Sequence, residues 1–376
     1  MPPWSLNLDR KDFMANYWQR KPLLIPGAIQ QFASPIDANE LAGLALEEEV
    51  ESRIIEFRND NWHAHNGPFT TQSFDRKHPW TLLVQGVDQL VDEVAQLLKL
   101  VDFIPQWRLD DVMISYAVDG ASVGPHYDNY DVFLLQAQGL RQWHLGQQCN
   151  EHTPLKTGTD LRILENFQCQ STHLLSPGDI LYVPPGVAHW GVASGESMTY
   201  SVGFRAPRMS DILSRGVDAA LETLSAEAFY SDPGLASTHR PGEISSEDNR
   251  RAKDQLIAAL SKFEDTQWFG ELVTEPKHPF EPIFESEAFS LADLRDDDAI
   301  LGLCAHSKIA WQQSAEDIVV FANGESKVFG HAVLPTLIVL CGEWLMEGSA
   351  LSIAVEDTET ATLLVYLLEL GCLEFK

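Results

Sequence analysis

The sequence predicts a mixed fold, mainly β plus α, built around a β-sandwich or jelly roll. Between about residue 108 and residue 206, short apolar runs recur with Gly and Pro turns between them. This is the pattern of closely spaced antiparallel strands. Residues 1–100 alternate helical and strand patterns, and beyond Pro207 the apolar residues take a helical period. At 376 residues the chain is long enough for two or three domains.

The predicted elements follow from capping residues, periodicity and turns. In the first part of the chain, helices open after Asn7 or Asp9, at Asp37 and over 88–100, and strands fall at 23–25, 53–57, 62–65 and 81–85. The jelly-roll strands are predicted at 112–118, 131–136, 141–145, 179–183, 189–193 and 198–204.

Beyond Pro207 two long helices are predicted, 209–229 and 250–274, with a polar linker at 231–248 between them. Paired helices outside a core often form a dimer interface, although packing back on the core is an equally simple use. The remaining residues predict a small unit with hairpin strands at 308–311, 318–321 and 327–329, and helices at 332–346 and 358–370.

The charge balance excludes some partners. The formal net charge is -29, whereas phosphate binding needs clustered Lys and Arg. Nucleic acid and anionic membranes are therefore not expected as partners. A basic partner fits better, because an acidic surface speeds encounters with cations, although the charge can also serve solubility alone.

Cysteine usage and hydropathy predict a cytoplasmic protein. The five Cys residues are scattered and form no CxxC pair, which indicates neither a disulfide framework nor a zinc ribbon. The first residues lack the apolar run of a secretory signal. No stretch approaches the ~18 apolar residues of a membrane span.

The sharpest motif is His126-Tyr127-Asp128. Residues i and i+2 of a strand point to the same face, so His126 and Asp128 can aim an imidazole and a carboxylate at one point. About 60 residues later, a Pro-Pro-Gly turn precedes His189. Two histidines and one carboxylate on one side of a metal form the facial triad of non-haem Fe(II) oxygenases.

A facial triad leaves coordination positions open for a bidentate cosubstrate and O2, unlike a closed four-ligand zinc site. By spacing alone, however, zinc or manganese fits His126, Asp128 and His189 as well as iron does. Arg141, on the strand after the motif, narrows the choice, because Arg can bind a carboxylate through two parallel hydrogen bonds. Ser115, on the strand before it, can donate to the same carboxylate. Together they favour iron with 2-oxoglutarate.

Asp119 lies in the turn before the motif, where it can meet a cationic substrate side chain. Asp is also a common turn residue, and that role stays open. The Cys residues have no adjacent His or Lys pattern, so none is expected to act as a nucleophile.

Around these residues the sequence resembles the JmjC cupin oxygenases, and specifically the bacterial ribosomal oxygenases. The likeness covers nearly the whole chain. Its most specific strings are HYDNYDVFLLQ at 126–136 and SVGFRAP at 201–207, with YWQRKPL at 17–23, WTLLVQ at 80–85 and GDILYVPPG at 178–186.

The resemblance implies a double-stranded β-helix with a helical dimerisation segment and a winged-helix-like domain. The implied domains are 1–206 (catalytic), 207–275 (dimerisation) and 276–376 (acidic, winged-helix-like). His126, Asp128 and His189 match the iron ligands, and Arg141 and Ser115 match the positions that bind 2-oxoglutarate.

The reaction that the resemblance implies is 3-hydroxylation of an arginine in the sixteenth protein of the large ribosomal subunit, with O2 as second cosubstrate. Asp119, Tyr130 and Asp131 are the candidates for contact with the guanidinium. Residues 271–376 hold 19 Asp and Glu against 5 Lys and Arg, so this unit is expected to dock a basic protein or to be structural, and not to bind nucleic acid.

Two other functions stay open. The same site can serve a histidyl or asparaginyl hydroxylase or a lysine demethylase. A non-catalytic cupin scaffold is the third hypothesis, against which the intact triad and Arg141 speak.

Overall fold

In the computed structural model the described residues are 4–237, 239–264, 267–277, 294 and 299–376. The chain forms two compact units, Met1–Ala206 and Pro207–Lys376. This division falls at the first of the two boundaries predicted from the sequence. The second, at residue 276, adjoins residues outside the described ranges and stays a prediction.

The first unit is built on one antiparallel nine-stranded sheet with the order β1-β8-β6-β9-β5-β4-β2-β3, in which β7 pairs with β6. Its strands are β1 (Leu23–Ile25), β2 (Ser52–Arg58), β3 (Asn61–Asn66), β4 (Trp80–Val84), β5 (Leu109–Ala117), β6 (Val132–Gln148), β7 (Ser171–Leu175), β8 (Ile180–Val183) and β9 (Val187–Phe204). The sequence predicted all of these except β7. The jelly-roll interpretation is confirmed, with antiparallel strands throughout.

The two longest strands differ from the prediction. Four predicted strands, 131–136 with 141–145 and 189–193 with 198–204, merge into β6 and β9. The pair stays in contact along its length, with shifts of register between Gln136 and Leu140. These irregularities bend the two strands, so one pair of strands contributes to both halves of the roll.

Helices of the first unit pack on the outside of the sheet. They are α1 (Arg10–Asn16), α2 (Ala38–Leu44) and α3 (Asp92–Ala95). Asp9 caps α1 by accepting hydrogen bonds from the amides of Lys11 and Asp12, and Asp37 forms a capping box with Glu40. The helix predicted over 88–100 is mostly 3-10 turns around α3.

Alternation along β5 separates the core from the site. Val112 and Ile114 are buried in the main core, where they join Phe13 of α1 and Leu41 of α2. Because side chains alternate across a strand, Ser115 points to the opposite face, toward the inside of the roll.

The second unit contains helices α4 (Met209–Thr223), α5 (Ser246–Leu260), α6 (Gln267–Thr274), α7 (Leu334–Glu343), α8 (Gly348–Glu356) and α9 (Thr358–Glu369). Its strands are β10 (Ile300–Leu303), β11 (Ile309–Gln313), β12 (Ile318–Ala322), β13 (Glu325–Phe329), β14 (Leu345–Glu347) and β15 (Leu373–Phe375). The predicted helix 250–274 is replaced by α5 and α6, and residues 265–266 between them lie outside the described ranges. A core including Leu337, Leu364 and Leu367 joins α7, α8 and α9 to two three-stranded sheets, β14-β10-β15 and β11-β12-β13.

Among the described residues, no helix is long and apolar enough to cross a membrane. All five cysteines are free thiols.

Candidate metal centre and cosubstrate pocket

The backbone places His126 and His189 side by side. The two residues form an isolated antiparallel bridge, in which the amide of each donates to the carbonyl of the other, at 3.1 and 2.8 Å. Their ring centroids are 4.3 Å apart. Asp128 is fixed as well, since its carbonyl accepts the amide of Gly186 at 2.7 Å. The predicted turn therefore ties the third ligand to the other two.

Backbone carbonyls set the tautomer of both histidines. His126 Nδ1 lies 2.9 Å from the carbonyl of Gly124, and His189 Nδ1 lies 3.0 Å from that of Val187. A carbonyl only accepts, so each Nδ1 carries the hydrogen and each Nε2 keeps its lone pair free. Partners of this kind orient histidines that bind metals.

The Nε2 atoms of the two histidines, whose lone pairs are free, lie close to the carboxylate of Asp128. Asp128 Oδ2 lies 4.0 Å from His126 Nε2 and 3.5 Å from His189 Nε2. Among the described residues this is the one group of three or more His, Cys, Asp or Glu whose ligand atoms all lie within 4.8 Å of one another. Burial, with the neighbouring His126, lowers the pKa of His189 to about 4, so the ring stays neutral as a ligand must be. Two imidazoles and one carboxylate fit Fe(II) with open positions.

The turn that carries His189 depends on Gly186. Its φ is +77°, and a Cβ there would lie 2.3 Å from Gln148 Nε2 and 2.9 Å from the carbonyl oxygen of Cys149. The carbonyl of Gly186 also accepts the amide of Cys149 at 2.7 Å. A side chain at this position would therefore disturb the bridge to Asp128.

We expect Gly186→Ala to lower the free energy of unfolding by about 3 kcal/mol, from positive-φ strain plus overpacking. Metal affinity should fall about tenfold because the ligands move. Urea denaturation and metal titration measure the two effects. Gly27→Ala is the matched control, since Gly27 also has positive φ but an added Cβ meets nothing within 4 Å. Equal losses in the two variants would contradict the packing argument.

Arg141 lies inside the roll as a buried cation, 3% exposed. Its Nη1 donates to Ser115 Oγ at 2.9 Å and to Thr199 Oγ1 at 3.1 Å. Its Nε has no hydrogen-bond partner among the residues that the structure describes. Burial lowers the pKa of Arg141 to about 10, which still leaves it charged at neutral pH.

A buried cation without a carboxylate partner is costly to a protein. An incoming anion removes that cost, so the donors of Arg141 fit the distal carboxylate of 2-oxoglutarate. The ring of Trp143 lies 5.5 Å from the guanidinium carbon and 5.8 Å from the ring of His189. Trp143 therefore connects the carboxylate pocket with the metal ligands.

Sequence reasoning missed Thr199 and Gln136. Both are fully buried, and Thr199 Oγ1 donates to Gln136 Oε1 at 2.9 Å. Only the pairing of β5, β9 and β6 brings them beneath Arg141. A buried polar residue within an apolar strand is the one signal in the sequence that could have indicated them.

The three candidate substrate residues lie in different settings. The Tyr130 side chain is 42% exposed, and burial of its hydroxyl, together with the charge of the neighbouring Asp128, raises its pKa. Asp119 is exposed and accepts the amide of Gly195 at 2.7 Å. Asp131 is fully buried and accepts from Tyr182, Gln19 and Arg108 at 2.6, 2.9 and 3.2 Å. Asp131 therefore organises the core and has no surface to offer a substrate.

Comparisons with known proteins agree with this geometry. The model of the JmjC domain matches residues 96–212. The ribosomal protein uL16 3-hydroxylase of Escherichia coli (strain K12) is 32% identical, with 98% of each chain covered. A probable ribosomal oxygenase of Haemophilus influenzae is 32% identical over 83% of this chain and 80% of its own length.

Two further comparisons bear on the site. The structure of YcfD, a ribosomal oxygenase from Escherichia coli, in complex with cobalt and 2-oxoglutarate superposes with a TM-score of 0.82 at 30% identity, covering 99% of both chains. A bifunctional lysine-specific demethylase and histidyl-hydroxylase, NO66 of Dictyostelium discoideum, is 32% identical over only 30% of this chain and 23% of its own length.

The roll, the triad and the matching domain define the class, a JmjC-domain oxygenase that uses Fe(II) and 2-oxoglutarate. Within this class the chain belongs to the ribosomal oxygenase family, because its likeness to a uL16 3-hydroxylase spans both chains almost completely.

Proposed function

We propose that this protein hydroxylates C3 of an arginine side chain in ribosomal protein uL16. The observation that carries the proposal is the triad with Arg141, in a chain similar over its whole length to a uL16 3-hydroxylase. When bound, Fe(II) with 2-oxoglutarate and O2 supplies the oxidation of an unactivated C–H bond.

In this proposal each residue of the site has one role. His126, Asp128 and His189 hold the iron, and the carbonyls of Gly124 and Val187 orient the two rings. Arg141, supported by Ser115, binds the distal carboxylate of 2-oxoglutarate. Trp143, beside Arg141, belongs to an apolar cluster with Leu134 and Leu145, and such surroundings exclude water and strengthen charged contacts.

The substrate contacts that we propose are Tyr130 and Asp119. Tyr130 is best placed, because its hydroxyl lies near the charge of Asp128, a proposed iron ligand, while much of the side chain stays exposed. A guanidinium can stack on such a ring. Asp119 can attract the cation from the rim with the oxygen that the turn does not use. Asp131 is not assigned to substrate, since its carboxylate is occupied in the core.

Mass spectrometry tests the proposal. Purified enzyme with Fe(II) and 2-oxoglutarate should add one oxygen atom to a single arginine of uL16, and fragmentation should place it on C3. His126→Ala enzyme should give no product. Tyr130→Phe, which keeps the ring but removes the hydroxyl beside Asp128, should reduce kcat/KM about tenfold. An oxygen on histidine or asparagine, or loss of a methylene from methyl-lysine, would overturn the target.

A histidyl hydroxylase or lysine demethylase is the second candidate, favoured by the partial likeness to NO66. The likeness to NO66 of Dictyostelium discoideum covers 30% of this chain, against 98% for the uL16 3-hydroxylase, so we rank this candidate below the arginine hydroxylase.

We propose further that the enzyme acts in the cytoplasm on the free ribosomal protein. The net charge of -29 favours a basic protein and repels exposed rRNA. Faster hydroxylation of intact large subunits than of free uL16 would contradict this proposal.

We also propose that α4 and α5 form a homodimer interface. Neither helix has a buried residue within the chain, and five of their large apolar side chains are more than half exposed: Met209, Leu213, Leu221, Leu256 and Ile257. Apolar surface on this scale usually marks an interface, and a second copy is the partner we assign. The winged-helix-like identity of the last hundred residues stays a proposal from the family resemblance.

We expect Leu213→Asp with Leu221→Asp to convert a dimer into a monomer of 42.0 kDa, because burying two carboxylates would cost several kcal/mol. Light scattering after size exclusion measures the mass. Leu174→Asp is the control, since Leu174 is 57% exposed on the first unit and should leave the dimer intact. A wild-type protein that is already monomeric would contradict the interface.

A further inference from the structure

Beneath Arg141, a row of polar side chains is linked by hydrogen bonds in which the donor and the acceptor of each bond are fixed. Ser115, Thr199 and Gln136 lie side by side on β5, β9 and β6, because Thr199 pairs with both of its neighbours in the sheet. All three are buried. Buried polar groups satisfy their hydrogen bonds within the protein, so each hydrogen of the row can be assigned.

The direction is set at Gln136. Its Nε2 lies 2.8 Å from the carbonyl oxygen of Gln138. Since a carbonyl only accepts, the amide NH2 must face it, and Oε1 must face the other way. Oε1 therefore accepts the hydrogen of Thr199 Oγ1, at 2.9 Å. With its one hydrogen committed, the Thr199 hydroxyl can only accept from Arg141.

Ser115 is oriented in the same sense. Its hydroxyl donates to the carbonyl oxygen of Thr199 at 3.4 Å, so toward Arg141 it is also an acceptor. Arg141 Nη1 has two hydrogens, and the two hydroxyls take both. The edge formed by Nε and Nη2 is left for a ligand, and Nε is buried with no partner within the described part of the chain.

We propose that Gln136 is a positioning residue for 2-oxoglutarate. By holding the Thr199 hydroxyl as an acceptor, it saturates Nη1 and leaves the Nε–Nη2 edge of Arg141 as the two-donor fork for the distal carboxylate. The inference rests on the assignment of Arg141 to 2-oxoglutarate made above. This arrangement also favours a charged ligand. The Nε–Nη2 edge of Arg141 offers two donors, which match the two oxygens of an ionised carboxylate, whereas the NH2 group of an amide would place a donor opposite a donor.

The test measures cosubstrate binding apart from turnover. Calorimetry on the Co(II)-loaded protein should show that Gln136→Met raises the Kd for 2-oxoglutarate about tenfold, the loss of one oriented hydrogen bond in a buried site. The KM for 2-oxoglutarate should rise in parallel while kcat stays within about twofold. Thr199→Val removes the same bond and also the acceptor of Arg141 Nη1, so it should raise the Kd at least as much. The double variant should be no worse than Thr199→Val alone, because Gln136 acts only through Thr199.

Thr199→Ser should restore the wild-type Kd, since it keeps the hydroxyl. If Gln136→Met fails to fold, Thr199→Val and Thr199→Ser carry the test alone. Thr81→Val is the matched control: its hydroxyl is fully buried on neighbouring β4 without a partner among the described residues, so the Kd should not change.

Two failures can be told apart. If Arg141→Met keeps wild-type affinity for 2-oxoglutarate, the assignment of Arg141 itself is wrong. If Arg141→Met loses affinity but Gln136→Met and Thr199→Val do not, only the inference about Gln136 is overturned. Multiplicative effects of the two variants would also overturn it, because they would then act independently.

Discussion

His189→Ala is expected to abolish iron binding and lower succinate formation by at least about 100-fold, because disturbing even the partner of a metal ligand costs 10–100-fold. His189 is 3% exposed and shares a backbone bridge with His126. Removing its ring leaves one imidazole and one carboxylate, too few to hold the metal against solvent. Metal content after dialysis and succinate release together measure the effect.

His144→Ala is the matched control for that variant. His144 lies on β6 opposite Trp190, one residue beyond His189 on β9, and bonds Thr172 on an exposed surface. His144 lies in the same sheet as His189, but its side chain points to the opposite face. Metal content and succinate release should stay at wild-type levels. Equal loss in both variants would mean that damage to the sheet, and not a missing ligand, explains the His189 result.

The convergence of the three proposed metal ligands could be predicted because local rules govern much of it. His126 and Asp128 are two residues apart in an extended segment, so one face receives both. His189 follows a Pro-Pro-Gly turn whose geometry the residues themselves impose. What the sequence could not give is the backbone bridge between His126 and His189, since it depends on how distant segments align.

The support beneath Arg141 could not be predicted for the same reason. Thr199 and Gln136 are separated by more than 60 residues in the chain, and a shift of one residue in the register would turn either side chain to the other face. The sequence predicted separate strands at 131–136 and 141–145, and again at 189–193 and 198–204, whereas β6 and β9 each continue through the gap. The sequence also could not show that Asp131, a candidate for substrate contact, is buried among its own hydrogen-bond donors, because Tyr182 and Arg108 come from distant segments.

Arg141→Met separates the requirements of the cosubstrate from those of the fold. Affinity for 2-oxoglutarate should fall at least about 100-fold, because the variant loses two charge-assisted hydrogen bonds in a buried pocket. The melting temperature of the protein without ligand should not fall. Met fills a similar volume, and the guanidinium it replaces is desolvated with Nε unsatisfied, a situation in which apolar replacements are neutral or stabilising.

Wild-type protein should gain stability on adding 2-oxoglutarate in proportion to its binding, and Arg141→Met should gain none. Arg141→Lys is the companion variant: it keeps the charge but loses the planar fork, so its affinity should lie between the two. A fall in the melting temperature of ligand-free Arg141→Met would mean that Arg141 is held mainly by Ser115 and Thr199 as a structural element. If Arg141→Met keeps the melting temperature and loses affinity for 2-oxoglutarate, the buried charge of Arg141 serves to bind the anion and does not stabilise the fold.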